Sequence, residues 1–207
     1  MISRPIVRAP SPLAVIGQLG GHIKRGYRHP IGPRTKKPMA LVSALPLSVD
    51  SDKMVLSFMD RSDPTASYDN QPHKGDNAVV IVPRADVHLS VISGVCPGDW
   101  KGVKVTFGTE IDEPEDLDTD PTGITIAASD RWVDLVDDLG CDCSKLGGYP
   151  LWTKKAIDVD LLMGRRQVFH HRLTADVVDF KLGDGGVVYI FVDEVGEAGA
   201  LLWQQAK

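Results

Sequence analysis

The stretches Gln167-Val-Phe-His-His-Arg-Leu173 and Val187-Val-Tyr-Ile-Phe-Val192, with the turn Gly183-Asp-Gly-Gly186 before the second, indicate what kind of fold this chain forms. Both stretches are short, and the second consists entirely of β-branched and aromatic residues, a composition that favours strands over helices. Glycine-rich turns of this type commonly bound strands. The two stretches therefore predict two β-strands in the second half of the chain.

The same strand pattern recurs through the rest of the chain. Further strands are predicted at residues 38–45, 53–59, 77–82, 87–92 and 103–107, the first two forming a hairpin, and residues 200–204 are expected to form a last short strand or a cap. The clearest helix is predicted at residues 130–139, where apolar residues recur at helical spacing. The 20 glycines and 14 prolines disfavour a helical bundle. We expect a β-rich α+β fold with few helices and antiparallel or mixed sheets, in a single domain covering residues 1–207.

Two parts of the chain repeat one another in order. Gln18-Leu-Gly-Gly21 and Lys145-Leu-Gly-Gly148 are each followed by a loop, a strand, a turn, a second strand and an aspartate, Asp60 or Asp193. This echo predicts two duplicated β units at about residues 17–107 and 129–204. Chance similarity is the alternative explanation.

The glycine pairs and the residues after the second pair form a candidate structural motif. Its members are Gly20, Gly21, Gly147, Gly148, Pro150 and Trp152. Glycine permits positive φ or close backbone approach, and proline stiffens the chain that leads to the tryptophan. Trp152 is expected to cover an edge of the core. A phosphate-binding loop is the alternative, although neither pair belongs to a full Gly-x-Gly-x-x-Gly or P-loop pattern.

Charge is distributed unevenly along the chain. Residues 1–40 contain eight arginines and lysines and no acidic residue, so the net charge of -5 comes from the acidic remainder. The basic segment is expected either to neutralise the acidic body or to present a contact surface of its own.

The most acidic stretch is residues 110–120, where seven of eleven residues are acidic. These residues are Glu110, Asp112, Glu113, Glu115, Asp116, Asp118 and Asp120. Repulsion between like charges and an internal proline predict an exposed loop. The loop is a candidate surface for a basic protein partner, which its potential would steer into place. A solvated loop that only aids solubility is the alternative, and nucleic acid is disfavoured as a partner because phosphates would be repelled.

Cysteine and histidine positions give little support for a metal or a catalytic centre. Cys141-Asp-Cys143 has too few nearby ligands for zinc, and the turn after Cys96 does not favour a reactive thiol. His170 and His171 are adjacent on a predicted strand, so they are expected to point to opposite faces, one inward and one to solvent. No cofactor and no metal are predicted. An enzyme that uses either histidine with Asp184 or Asp193 is kept as an alternative.

The cellular compartment is predicted from features that the sequence does not contain. The first residues are interrupted by Pro5, Pro10 and Pro12 and do not resemble a signal peptide. No apolar run reaches the length of about 18 residues that a membrane span needs, and three cysteines are an odd number. We expect a cytoplasmic protein with free thiols and no membrane partner.

Several of these residues resemble a known family. Leu146-Gly-Gly-Tyr-Pro-Leu-Trp152, Val168-Phe169 and Asp184-Gly-Gly-Val-Val-Tyr-Ile-Phe-Val-Asp193 are similar to the bacterial YwqG-like domain family. The first motif is also similar to that of the programmed-cell-death-2 chaperones. The resemblance implies a duplicated, β-rich fold with no established enzyme activity, and a role as an immunity or interaction protein. The chain departs from the family at His170-His171-Arg172, where relatives carry glutamine, and at His22-Ile23, where proline often follows the glycines.

Together these observations favour a non-enzymatic protein-binding module. The first hypothesis is an immunity or inhibitor protein that neutralises a basic toxin or partner through the acidic loop. A chaperone for a basic client, the histidine-dependent enzyme and a structural subunit that forms a homo-oligomer are the alternatives.

Overall fold

The structure is a computed structural model that describes residues 2–25, 27–61, 76–92, 94, 96, 100–113, 144–150, 152, 157–174, 177 and 186–205. The predicted helix at residues 130–139, the acidic residues of 114–120, the Cys141-Asp-Cys143 pair and Asp184 lie outside the described residues.

The described residues form strands over about half of their length. The strands are β1 Ile2–Arg8, β2 Gly17–Leu19, β3 His22–Arg25, β4 Ala40–Pro46, β5 Lys53–Met59, β6 Asn77–Pro83, β7 His88–Ser90, β8 Val103–Phe107, β9 Ile111–Asp112, β10 Lys145–Gly147, β11 Gln167–Leu173, β12 Gly186–Asp193 and β13 Gly199–Gln205. The helix α1 covers Val159–Met163; it begins after Asp158, whose carboxylate accepts a hydrogen bond from the Leu161 N–H, and ends at Gly164 in the left-handed region. All seven predicted strands are present, and residues 200–204 are also part of a strand, β13.

Within the described residues, one large sheet contains all the strands except two. Its order is β13-β12-β11-β10-β1-β8-β2-β4-β5-β6, with β9 also paired to β1, and each pairing is antiparallel. The two ends of the sheet meet at a bridge between Val80 and Ala198, so the sheet is nearly closed. Strands β3 and β7 form a small second sheet. The predicted β-rich α+β fold is confirmed.

The two sequence units have the same strand order in the large sheet. The first contributes β2-β4-β5-β6 and the second contributes β10-β11-β12-β13. Between these two sets of strands, β1 precedes the first unit in the chain but pairs with β10, and β8, the last strand of the first unit, pairs with both β1 and β2. This arrangement fits the echo in the sequence, while a common origin by duplication stays a prediction.

Three apolar clusters hold the sheet together. The largest includes Val42, Val55, Val105, Val188 and Ile190 and involves both units. A second cluster packs part of β4 and β5 against the small sheet, and a third packs β12 and β13 against α1 and Trp152. Because β4 and β12 are buried along their whole length, their sequences do not alternate between apolar and polar residues; Ser43 alone interrupts the apolar run of β4, and that of β12 continues to Val192.

Candidate functional site

The first acidic residues of the predicted partner-binding loop are engaged within the fold. Glu113 is buried, and its carboxylate accepts hydrogen bonds from the Lys145 ammonium and from the Tyr149 N–H at 2.7 Å. The expectation that Glu113 belongs to an exposed surface is therefore wrong. The reason is a buried cation and a backbone donor that both require this carboxylate.

Glu113 also explains why residue 148, the second glycine after Lys145-Leu, is a glycine. A Cβ atom on Gly148 would lie 2.3 Å from the Glu113 Oε2 atom, and the φ angle of Gly148 is +72°. Only glycine fits where the turn has positive φ and a carboxylate lies against it. Glu113 is thus part of the packing of the second glycine turn.

The remaining acidic positions divide into three groups. Glu110 pairs with Arg4 on β1, so a basic residue of the N-terminal segment neutralises it internally. Asp112 is exposed, and Glu115, Asp116, Asp118 and Asp120 lie outside the described residues. A basic partner on this stretch stays a prediction for Asp112 and these last four residues only.

The first glycine turn is supported by a neutral side chain. The buried Gln18 side chain donates to the Gly20 carbonyl at 2.8 Å and to the Ser90 carbonyl at 2.9 Å, and the Gly21 N–H donates to the Trp100 carbonyl at 2.7 Å. A Cβ atom on Gly21 would lie 2.2 Å from the Ser90 oxygen. These contacts favour a structural role for the turn over a phosphate-binding one, because the Gly21 N–H is already used.

Trp152 covers an edge of the core, as expected. Its ring lies 4.7 Å from the Tyr189 ring and 5.7 Å from the Phe191 ring, measured between centroids. Pro150, two residues earlier, is half-buried. The tryptophan therefore closes the outer apolar cluster of the second unit.

The histidine pair does not point to opposite faces of β11. The register of β11 against β12 shifts between Phe169 and His171, a bulge that leaves His170 outside the regular alternation. Both imidazoles are buried, and their Nδ1 atoms lie 2.5 Å apart. The expectation that one ring faces solvent is wrong because the bulge adds one residue to the strand.

A chain of hydrogen bonds runs through this pair and joins the two units. The His170 Nε2 atom lies 3.1 Å from the Pro46 oxygen and 3.2 Å from the Leu47 oxygen. At its other end, the His171 Nε2 atom lies 2.8 Å from the Ser43 Oγ atom, which lies 2.5 Å from the Ser57 Oγ atom.

The acceptors at one end fix the direction of this chain. Carbonyl oxygens only accept, so the His170 Nε2 atom carries its proton and the Nδ1 atom accepts from His171. The His171 Nε2 atom then accepts from the Ser43 hydroxyl, which in turn accepts from the Ser57 hydroxyl. We call Ser57, Ser43, His171 and His170 the buried Ser–His chain; every member is neutral in this arrangement.

Burial keeps the chain neutral. It lowers the pKa of His170 to about 4, an effect that the carbonyls of Pro46 and Leu47 only partly oppose. Burial, and then the neighbouring His170, hold the pKa of His171 well below its usual value. Ser43 and His171 resemble a nucleophile and its base, but both have no exposed surface.

Asp193, the other residue of the enzyme alternative, is engaged elsewhere. Its carboxylate accepts from the Glu197 N–H at 2.8 Å and lies 3.0 Å from the Arg165 guanidinium. Burial raises its pKa, but the N–H donors of the β12–β13 turn and Arg165 outweigh burial and lower it overall. Asp193 therefore stabilises a turn.

Cys96 contacts an imidazole without forming a metal site among the described residues. Its Sγ atom lies 3.3 Å from the His29 Nδ1 atom, which also lies 2.7 Å from the Met39 oxygen. In the described part of the chain, no three His, Cys, Asp or Glu side chains are grouped as metal ligands.

A surface groove lies where the end of β1 meets the start of β8. It has a volume of about 500 Å³ and is lined by Arg8, Ala9, Trp100, Lys101, Gly102, Val103 and Lys104. The Ala9 N–H donates to the Lys104 carbonyl at 2.9 Å, which fixes the two walls together. We call this the cationic groove, because its three charged lining residues are all basic and exposed.

The loop at residues 9–16 begins at Ala9, which lines the cationic groove, and ends at Val15 and Ile16, which line a smaller pocket. That pocket has a volume of about 160 Å³, and Lys104 lines both depressions. Leu13 in the loop is 100% exposed. Pro10 and Pro12 restrict the backbone of the loop. Two hydrogen bonds also hold it: the Ala14 N–H donates to the Ser11 carbonyl at 3.2 Å, and the Ile16 N–H donates to the Val105 carbonyl at 3.0 Å.

We call Leu13, the loop at residues 9–16 and the two depressions that its end residues line the loop face. Sequence reasoning missed this surface because Arg8 and Lys104 are distant in the chain and meet only through the pairing of β1 with β8. The basic composition of residues 1–40 and the prolines around Leu13 were the available signals.

Comparison with known proteins adds no assignment to these sites. No protein-family model matches the chain, and no curated protein matches its sequence. A relationship to the YwqG-like family therefore stays a prediction from the motif residues. In the described part of the chain, no helix has the length and apolar character needed to cross a membrane.

Proposed function

We propose that the protein is a non-catalytic module that binds a partner protein through the loop face. The observation that carries the proposal is Leu13, a fully exposed apolar side chain on a braced loop whose two ends each line a depression. Protein interfaces are commonly built from an apolar anchor surrounded by polar and charged groups. A loop that is already held in place loses little conformational freedom on binding, which favours affinity.

The buried Ser–His chain supports the non-catalytic part of the proposal. Its serine hydroxyls and ring nitrogens have hydrogen-bond partners within the chain or on the carbonyls of Pro46 and Leu47. No substrate reaches Ser43 or His171 without opening the sheet, because neither has exposed surface. A hydrolytic role for these residues would need such an opening.

The proposal is compatible with two biological roles, which the identity of the partner would distinguish. An immunity or inhibitor protein blocks a toxin, whereas a chaperone protects a client until it is assembled. Both roles need a preformed binding surface, and both were predicted with a basic partner on the acidic stretch. Glu110 pairs with Arg4, and Glu113 pairs with Lys145. Because these two carboxylates are engaged within the chain, we place the proposed binding surface on the loop face and not on the acidic stretch.

Partner capture with paired leucine variants tests the proposal. The tagged full chain and its Leu13→Ser and Leu161→Ser variants are used to capture proteins from cells that express the chain naturally. Leu161 on α1 is also exposed, at 79%, and is the matched control. We expect Leu13→Ser to lower recovery of a specific partner by about tenfold or more, with Leu161→Ser unchanged. Equal recovery by both variants and the unmodified chain would contradict the proposal.

A further inference from the structure

We infer that the cationic groove holds an acidic segment of the partner protein. This inference rests on the proposed function, because the groove is one half of the loop face. Arg8 lies on one wall, and Lys101 and Lys104 lie along the other. No acidic residue is among the described residues that line the groove.

The three cations differ from five other basic residues of the described chain, although Arg28, Lys36 and Lys37 also have no carboxylate partner among the described residues. Arg4, Arg34, Lys145, Arg165 and Arg166 each pair with a carboxylate. Among the described residues, no carboxylate pairs with Arg8, Lys101 or Lys104. In a chain with a net charge of -5, a groove that gathers three such cations has a local potential opposite to that of the whole molecule.

The backbone around the groove favours carboxylates along a peptide over a single phosphate group. Phosphate sites commonly use several free backbone N–H groups. Here the Ala9 N–H donates to the Lys104 carbonyl and the Gly102 N–H donates to the Val91 carbonyl at 2.8 Å. Recognition therefore falls to three long side chains on two walls, which suits charges spaced along an extended segment.

The aromatic residue of the groove disfavours nucleic acid as the occupant. Proteins that bind single strands stack bases on accessible aromatic rings. Trp100 is only 8% exposed, and the Arg61 guanidinium lies 4.2 Å from the centre of its ring. With its ring mostly covered, Trp100 contributes an apolar wall, which fits apolar residues between the acidic ones of a peptide.

Peptide binding to the full-length protein tests the inference. The probe is a short fluorescent peptide of alternating glutamate and leucine, and its controls carry lysine in place of glutamate or are single-stranded DNA of equal charge. We expect the glutamate peptide to bind, to weaken as salt rises, and to lose about tenfold in affinity when Arg8, Lys101 and Lys104 are all changed to Glu. A variant with Arg28, Lys36 and Lys37 changed to Glu has the same net charge and is expected to bind as the unmodified chain does.

Three results would overturn the inference. They are equal binding of the lysine peptide, tighter binding of the DNA, and equal loss of binding in the two charge variants. Unfolding midpoints of both variants are measured to exclude a folding defect. The Leu13→Ser variant keeps all three cations, so partner capture that depends on Leu13 but not on the groove charges leaves the proposed function standing and removes this inference alone.

Discussion

Gln18 and Lys145 occupy the same position in the two units, each directly before Leu-Gly-Gly, and both side chains are buried. The glycines after them have nearly the same positive φ angles, 64° and 71° in the first turn and 71° and 72° in the second. Their partners differ: Gln18 donates to two backbone carbonyls, whereas Lys145 pairs with Glu113. The same backbone turn is thus supported once by a neutral amide and once by a buried ion pair.

The difference shows how one backbone tolerates two kinds of polar support. Gln18 connects its turn to Ser90 through backbone carbonyls that any sequence supplies. Lys145 depends on one particular carboxylate, which also receives the Tyr149 N–H. A buried ion pair is costly to break because the remaining partner keeps its charge away from water. We expect the second turn to be the more sensitive one to a single substitution.

The largest expected effect is the removal of one partner of that ion pair. Glu113→Ala leaves the Lys145 ammonium and the Tyr149 N–H buried without their acceptor, so we expect a loss of about 3–5 kcal/mol in the free energy of unfolding. Urea unfolding measures this change. Glu110→Ala removes the exposed partner of Arg4 and is the control, with an expected loss below about 1 kcal/mol. Similar losses in the two variants would contradict the contrast between the turns.

The buried His170, which lies where the two units meet, predicts that the stability of the fold depends on pH. The pKa of His170 is about 4 in the folded chain against a usual 6.5. Between these values the unfolded chain binds a proton that the folded chain does not, so stability falls as the pH drops from about 6.5 to about 4. The shift corresponds to about 3 kcal/mol, and the lowered pKa of His171 acts in the same direction.

Urea unfolding across this pH range measures the dependence. His170→Gln keeps a donor for the carbonyls of Pro46 and Leu47 and an acceptor for His171, but does not titrate, so we expect a shallower slope. His22→Gln changes a histidine outside the buried Ser–His chain and serves as the control. A slope that His170→Gln leaves unchanged would show that other groups cause the loss of stability in acid.

The glycines provide a comparison at smaller scale. Alanine at Gly21 or Gly148 would meet the Ser90 oxygen or the Glu113 carboxylate in addition to a strained φ angle. We expect each to cost about 2–3 kcal/mol in unfolding free energy. Gly164 also has positive φ, but a Cβ atom added there would meet no described atom within 4 Å, so Gly164→Ala is expected to cost only about 1 kcal/mol. Thermal unfolding of the three variants gives the ranking, which equal losses would contradict.

The sequence predicted local features better than contacts between distant residues. The strands β5, β8 and β11 were predicted at the right residues because the preference for strand depends on the residue types within a short stretch. The contact of Glu113 with Lys145 was not foreseen, because β9 and β10 come together only through their shared pairing with β1. The faces of His170 and His171 were wrong because a bulge of one residue reverses the alternation on which the prediction relied.

A variant with a small expected effect is also the sharpest test of the comparison between the turns. Replacing Lys145 and Glu113 together by glutamine gives the second turn the neutral chemistry that Gln18 provides in the first. After Glu113→Gln, the side-chain oxygen still accepts from the Tyr149 N–H, and the side-chain NH2 group donates to the amide oxygen introduced by Lys145→Gln. No charge is left unpaired. We expect the double variant to lose only about 1 kcal/mol in unfolding free energy, less than either single change.

A double-mutant cycle by urea unfolding measures the coupling between these two positions. If the losses of Lys145→Gln and Glu113→Gln simply add, the two side chains act independently and the ion pair is not what makes the second turn sensitive. If the double variant recovers most of the stability, the requirement at this turn is a matched pair of hydrogen-bonding groups, charged or neutral. The two units would then differ in the chemistry of their support and not in what the glycine turn demands.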